Sequence, residues 1–231
     1  MGKARKIDNF LDEWLKSNEK IPKLIVGIRQ CGKTESIREF AKRNNLQLLE
    51  LNFWTNPELS EDFNNSLEVD TLISYFSLRF PNFKINPQKT LLFFDEIQEC
   101  EKALTSLKYF CEDAPEYHVI AAGSLLGLAI NRGHFSFPVG KVSMITMYPL
   151  DFEEFLMALD CENLIDLIKT SYKNDTPLDN PIHLMILDYY YKYLAIGGMP
   201  AAVNAYITKN DFDFVRIAQS DTWVTFFFLW Y

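Results

Sequence analysis

Eight consecutive residues carry a spacing with a specific chemical use: Gly27-Ile28-Arg29-Gln30-Cys31-Gly32-Lys33-Thr34 fits the pattern G-x-x-x-x-G-K-[ST]. Paired glycines let a short loop wrap until successive N–H groups point inward, which makes a cradle for phosphate oxygens. A helix starting directly after the loop adds the positive end of its dipole. In such a cradle Lys33 bridges the β- and γ-phosphates of ATP and the Thr34 hydroxyl ligates Mg²⁺, while backbone amides through Glu35 complete the binding segment.

A second cluster supplies what a phosphate cradle lacks. Leu91-Leu92-Phe93-Phe94-Asp95-Glu96 is an apolar run ending in two acids. A buried strand holds its last side chain rigidly, so Asp95 is expected to support the Mg²⁺ shell through water. Glu96 is then placed to activate an attacking water as general base. The acid doublet points to a hydrolysing ATPase rather than a nucleotide kinase. No guanine-reading NKxD signature occurs, since Lys209-Asn210-Asp211 has the residues in the wrong order. Ser124, after the apolar run HVIAAG, either senses the γ-phosphate and orients water or caps a helix over the LLGLAI that follows. Gln98 either helps position the water or is a polar helix-entry residue.

These residues need a scaffold, and the apolar periodicity describes one. Strand patterns at 24–27, 46–53, 90–96, 118–124 and 141–148 alternate with helical patterns at 7–18, 35–44, 67–80 and 101–113. The continuous apolar run at 90–94 is that of a strand buried on both faces of a parallel sheet. Such α/β sheets bind ligands at the carboxyl ends of their strands. From Asp151 the pattern becomes helical throughout, interrupted by a polar loop at 173–181. The expected division is an ATPase core over 1–150, a helical lid over 151–220, and an aromatic tail over 221–231.

Composition narrows the partners. The net charge of −8 disfavours attraction to a nucleic-acid backbone or an anionic membrane. Residues 1–45 nevertheless hold 11 Lys or Arg against 6 Asp or Glu, so nucleic acid stays a minority reading. No apolar run reaches the ~20 residues of a membrane helix. The N-terminus turns acidic where a signal peptide would be apolar, which suggests a cytoplasmic protein. Four scattered cysteines form no CxxC pair, and His118, His134 and His183 have no metal spacing, so structural roles are expected for all of them. The aromatic content is 15%, and the end is locally rich in it: Trp223-Val-Thr-Phe-Phe-Phe-Leu-Trp-Tyr231 has the makeup of an aggregation-prone strand.

Taken in order, GIRQCGKT, TLLFFDEIQEC, AAGSLLG, FPVGKV, YPLDFEEFL and YLAIGGMPAAV resemble the prokaryotic AAA-type ATPases whose ATPase domain precedes a C-terminal domain of unknown function. That resemblance implies a P-loop NTPase three-layer sandwich with a mostly parallel sheet, an extra strand between the two nucleotide-binding strands, and a small all-helical lid. It also implies ATP hydrolysis coupled to an unidentified task, with an unknown protein partner and an oligomer as options. The alternative is a nucleotide-dependent switch with slow turnover. Relatives often carry Arg at the position of Lys141, where it would act as a charge-stabilising finger; Arg132 or a residue of another subunit are the substitutes, and Arg29 suits a surface or lid contact. The tail after residue 220 departs from the resemblance, so a truncated or frame-shifted end in place of a further domain is expected, or a segment packed into the lid.

Overall fold

The computed structural model describes residues 4–17, 20–124 and 140–228. The chain divides into two compact units, one of Ile7–Ile28 and Lys33–Met147, the other of Met1–Lys6, Arg29–Gly32 and Tyr148–Tyr231. The first holds a five-stranded, wholly parallel sheet ordered β2-β3-β4-β1-β5, with β1 at Lys23–Val26, β2 at Gln47–Asn52, β3 at Thr90–Asp95, β4 at His118–Gly123 and β5 at Ser143–Thr146. As the family resemblance implies, β4 stands between β1 and β3. Every residue of β3 and β4 is buried, which explains their unbroken apolar runs, while the edge strands β2 and β5 alternate.

Helices cover both faces. Successive strand residues point to opposite sides, so Leu92, Phe94, Val119 and Ala121 share one face. They pack there with Phe63 of α3 (Leu59–Asn65), Phe76 of α4 (Val69–Arg79) and Phe110 of α5 (Glu101–Asp113). Phe94 lies at the centre of this aromatic group, edge-on to Phe53, Phe63, Phe76 and Phe110 with ring centroids 5.5–6.4 Å apart. The opposite face carries Trp14 of α1 (Lys6–Lys16), which meets Phe40 of α2 (Lys33–Arg43) and sits edge-on to His118. Only α3 has no counterpart in the apolar periodicity of the sequence. It is a single short segment of mixed polarity (LSEDFNN), and burial of Leu59 and Phe63 fixes it.

The second unit is helical: α6 (Phe152–Ala158), α7 (Glu162–Lys173), α8 (Asn180–Ile196), α9 (Pro200–Lys209) and α10 (Phe212–Phe228). Asp151 and Glu154 form a reciprocal capping box that starts α6. At the end of α8 the chain turns through Gly197 (φ +76°), and Gly198 lies so close to the Leu150 backbone that a Cβ would overlap its carbonyl oxygen. Between the two units the chain passes at 147/148, and two short segments of the first 32 residues belong to the helical unit. The tail corrects another expectation. Residues through Phe228 continue α10 as helix rather than forming a strand, with Trp223 and Val224 exposed. Residues 229–231 lie outside the described residues, as do Arg132, His134 and the segment after Ser124 to residue 139.

Two outcomes follow for the sheet unit. Phe94→Ala removes the shared partner of four rings and is expected to cost about 3–5 kcal/mol in chemical unfolding. His118 is largely buried with Nδ1 3.0 Å from the Pro87 carbonyl oxygen. Burial, chiefly, holds its pKa below the ordinary 6.5. The unfolded histidine therefore takes up its proton first as pH falls. Stability contributed by neutral His118 is present above about 6.5 and is lost as pH falls from there toward the lowered folded value. His118→Gln should show a shallower fall in melting temperature across that acid window than the wild type.

Candidate functional site

The glycine-rich loop leaves the carboxyl end of β1 and ends where α2 begins at Lys33. Gln30 and Gly32 both have positive φ, 61° and 100°, with Cys31 between them. Such alternation of backbone handedness turns successive N–H groups to one side. Lys33 is buried, and its ammonium donates to the carbonyl oxygens of Gly27 at 3.1 Å and Ile28 at 3.0 Å. The glycine-to-helix geometry expected from the sequence is thus present, with Ile28, Gln30 and Glu35 exposed and Arg29 half-buried.

Three donors converge on Asp95 at the end of β3. The Thr34 hydroxyl donates to Oδ2 at 3.1 Å, the Asn52 side-chain amide to the same oxygen at 3.0 Å, and the Glu96 N–H to Oδ1 at 3.1 Å. Parallel pairing places Asn52 directly opposite Asp95. Its own carbonyl oxygen accepts from the N–H groups of Trp54 and Thr55, so the amide is oriented by the turn that follows β2. Burial raises the Asp95 pKa, the neighbouring Glu96 charge raises it further, and the Thr34 and Glu96 hydrogen bonds oppose both. Asn52 was not singled out by motif reading. The available signal was a polar residue ending an otherwise apolar strand.

Glu96 adopts a left-handed backbone, φ 51° and ψ 44°, at the step from β3 into the 3₁₀ turn Ile97–Glu99. This conformation costs a non-glycine residue about 1–2 kcal/mol and breaks the strand's alternation. The Gln98 side-chain amide donates to Glu96 Oε2 at 2.6 Å, and the Ser124 hydroxyl reaches the same oxygen at 3.4 Å. Ser124 N–H donates to Gln98 Oε1 at 3.2 Å. Gln98 therefore joins the acid to the end of β4, and Ser124 is buried beside both.

Lys141 is not brought to this group. It precedes Ser143, which pairs with Lys23 at the start of β1, whereas the loop leaves the other end at Val26. Its ammonium is 3.0 Å from Glu112. Lys141, one of the sources the resemblance offers for a charge-stabilising finger, is thus placed away from the loop of its own chain. Among the described residues no group of three His, Cys, Asp or Glu side chains is arranged to hold a metal. Mg²⁺ bound with a nucleotide needs only one or two protein oxygens beside phosphates and water, and the Thr34–Asp95 pair has that donor chemistry. His118 is structural and His183 is exposed on α8.

A sequence model described as "AAA domain" matches residues 19–156. A comparison with curated proteins finds no match. Among solved structures, the Walker-type ATPase of Pyrococcus abyssi is similar at a TM-score of 0.53 and 15% identity, over 99% of this chain and 75% of that one. That likeness concerns the fold.

The raised Asp95 pKa means that the buried charge opposes folding of the nucleotide-free protein. Asp95→Asn keeps an oxygen acceptor without the charge and is expected to melt no lower than the wild type in the absence of nucleotide, by differential scanning calorimetry.

Proposed function

The chain belongs to the AAA domain family, and from that premise we propose that it binds Mg-ATP along Gly27–Glu35 and hydrolyses it to ADP and phosphate, coupling the cycle to a conformational task on a protein partner. The observation carrying this reading is the 3.1 Å contact between the first-turn hydroxyl Thr34 and the strand-end carboxylate Asp95, with Glu96 next in sequence. Lys33 exchanges its two loop carbonyls for β- and γ-phosphate oxygens. Thr34 and Asp95 are the residues that would hold Mg²⁺. When bound, the metal neutralises charge that accumulates on the phosphate oxygens.

Glu96 accepts a proton from the attacking water as the water oxygen bonds to the γ-phosphorus and the bond to the ADP oxygen breaks. Ser124 orients that water or the γ-phosphate. With Lys141 at the other end of the sheet, further charge stabilisation comes from Arg132 or from a cation of a second copy of the chain. The net acidity argues against nucleic acid as the partner, and no helix among the described residues is long and apolar enough to cross a membrane.

A second reading, a nucleotide-dependent switch with slow turnover, is favoured by one feature. The Glu96 carboxylate is occupied by Gln98 at 2.6 Å, and it must release that donor to meet water. Partner-dependent release would make hydrolysis a resetting step.

Lys33→Ala is expected to abolish nucleotide binding in equilibrium titration. Glu96→Gln should bind Mg-ATP with near wild-type affinity while phosphate release slows by about 10²–10⁴-fold. Wild-type turnover by Glu96→Gln would remove Glu96 from the role of base.

A further inference from the structure

Among the described residues of the helical unit, Arg5 is a buried cation whose partners are distant in sequence. Arg5 is 8% exposed, and its guanidinium makes these hydrogen bonds to described residues. Nε donates to Glu154 Oε1 at 3.0 Å and Nη2 to Glu154 Oε2 at 3.4 Å. Nη1 donates to the Cys31 carbonyl at 3.0 Å, and Nη2 also donates to the Tyr148 carbonyl at 2.8 Å. Glu154 is equally enclosed, at 6% exposure. Beyond Arg5 it accepts from the Lys6 and Asp151 backbone N–H groups, at 2.8 and 3.2 Å.

Cys31 lies between the two positive-φ residues of the glycine-rich loop. A cradle of inward N–H groups requires its carbonyls to face outward, and an outward carbonyl in a buried place needs a donor. Arg5 supplies that donor with a charge, which makes a shorter and stronger hydrogen bond than a neutral one. A planar fork with several fixed N–H directions reaches two backbone carbonyls and one carboxylate at once, a task a lysine cannot repeat. Buried ion pairs add little net stability because both ions lose water. The arrangement therefore calls for a role in geometry.

We propose that Arg5 is a positioning residue for the nucleotide: by tying the Cys31 carbonyl to the capping-box carboxylate Glu154, it holds the tip of the phosphate loop in its anion-binding conformation. The inference rests on reading Gly27–Thr34 as the nucleotide loop. Arg5 touches no reacting atom in this scheme. It reduces the ordering that the loop must undergo when phosphate binds.

The test uses the full chain with Arg5→Gln, Arg5→Lys and Glu154→Gln, each first shown to be folded by circular dichroism. Binding of Mg-ATPγS and steady-state ATP hydrolysis are measured beside the rate of Cys31 alkylation, read by peptide mass spectrometry. Cys31 is fully buried in the wild type. Arg5→Gln is expected to weaken ATPγS binding by about 10–100-fold, the loss of a charge-assisted hydrogen bond. KM should rise with it, kcat at saturating ATP should change less than about threefold, and Cys31 should label faster. Arg5→Lys should fall between, and Arg5→Gln combined with Glu154→Gln should be less than additive. Folded variants with wild-type ATPγS affinity and wild-type Cys31 labelling overturn the proposal. Faster labelling in a chain whose wild type binds no ATPγS supports the loop tie and overturns the nucleotide reading alone.

Discussion

An ionisable carboxylate at the end of a strand buried on both faces is the constraint around which the sheet unit is arranged. Asp95 follows the four apolar residues Leu91–Phe94 of β3, and its position leaves little access to water. Three neutral donors meet it, from the first turn of α2, the end of β2 and the next peptide in the chain. Each donor ties a different element to the same atom pair. The register Asn52↔Asp95 and the entry of α2 into the sheet's carboxyl edge are thus coupled to one side chain. The ring cluster around Phe94 holds the other end of that arrangement by burying the residue immediately before it.

The same strand end explains the backbone at Glu96. Continuing in extended conformation would direct successive side chains to opposite faces, and Glu96 would enter an apolar layer. The left-handed turn instead brings Glu96 toward Gln98 and Ser124, where its oxygens find donors. Strain at this residue is offset by those hydrogen bonds and by the Glu96 N–H to Asp95. A left-handed non-glycine residue beside an acid pair is a local cost that a purely structural turn would avoid by using glycine.

What the amino-acid order made legible was local chemistry. The loop, the acid pair, Ser124 and the alternation of strands with helices are encoded in contiguous residues, so motif and period revealed them together with the parallel sheet. The partners that complete these features lie elsewhere in the chain. Asn52 is 43 residues from Asp95, and Arg5 is 149 from Glu154, and neither distance leaves a trace in spacing. The tail shows the reverse error. Trp223–Phe228 has strand composition, yet it continues a helix begun at Phe212, since strand propensity acts only where a neighbouring strand offers hydrogen bonds. Which end of the sheet Lys141 occupies was illegible for a related reason, since its place after Gly140 in the sequence does not fix it.

Two of the three buried carboxylates among the described residues, Glu154 and Asp95, are satisfied in opposite ways, while the third, Asp62, is paired with Arg79, and the contrast separates architecture from chemistry. Glu154 receives a guanidinium and two backbone N–H groups, so its charge is compensated within the protein. Asp95 receives neutral donors alone among the described residues, although cations are abundant in the first 45 positions. A paired Asp95 would be more stable and would offer no field to an incoming cation. Leaving it unpaired raises its pKa and costs stability, a cost that binding of a divalent cation with its phosphates would reverse. The uncompensated carboxylate therefore stands where a bound cation, rather than the fold, would supply the opposite charge.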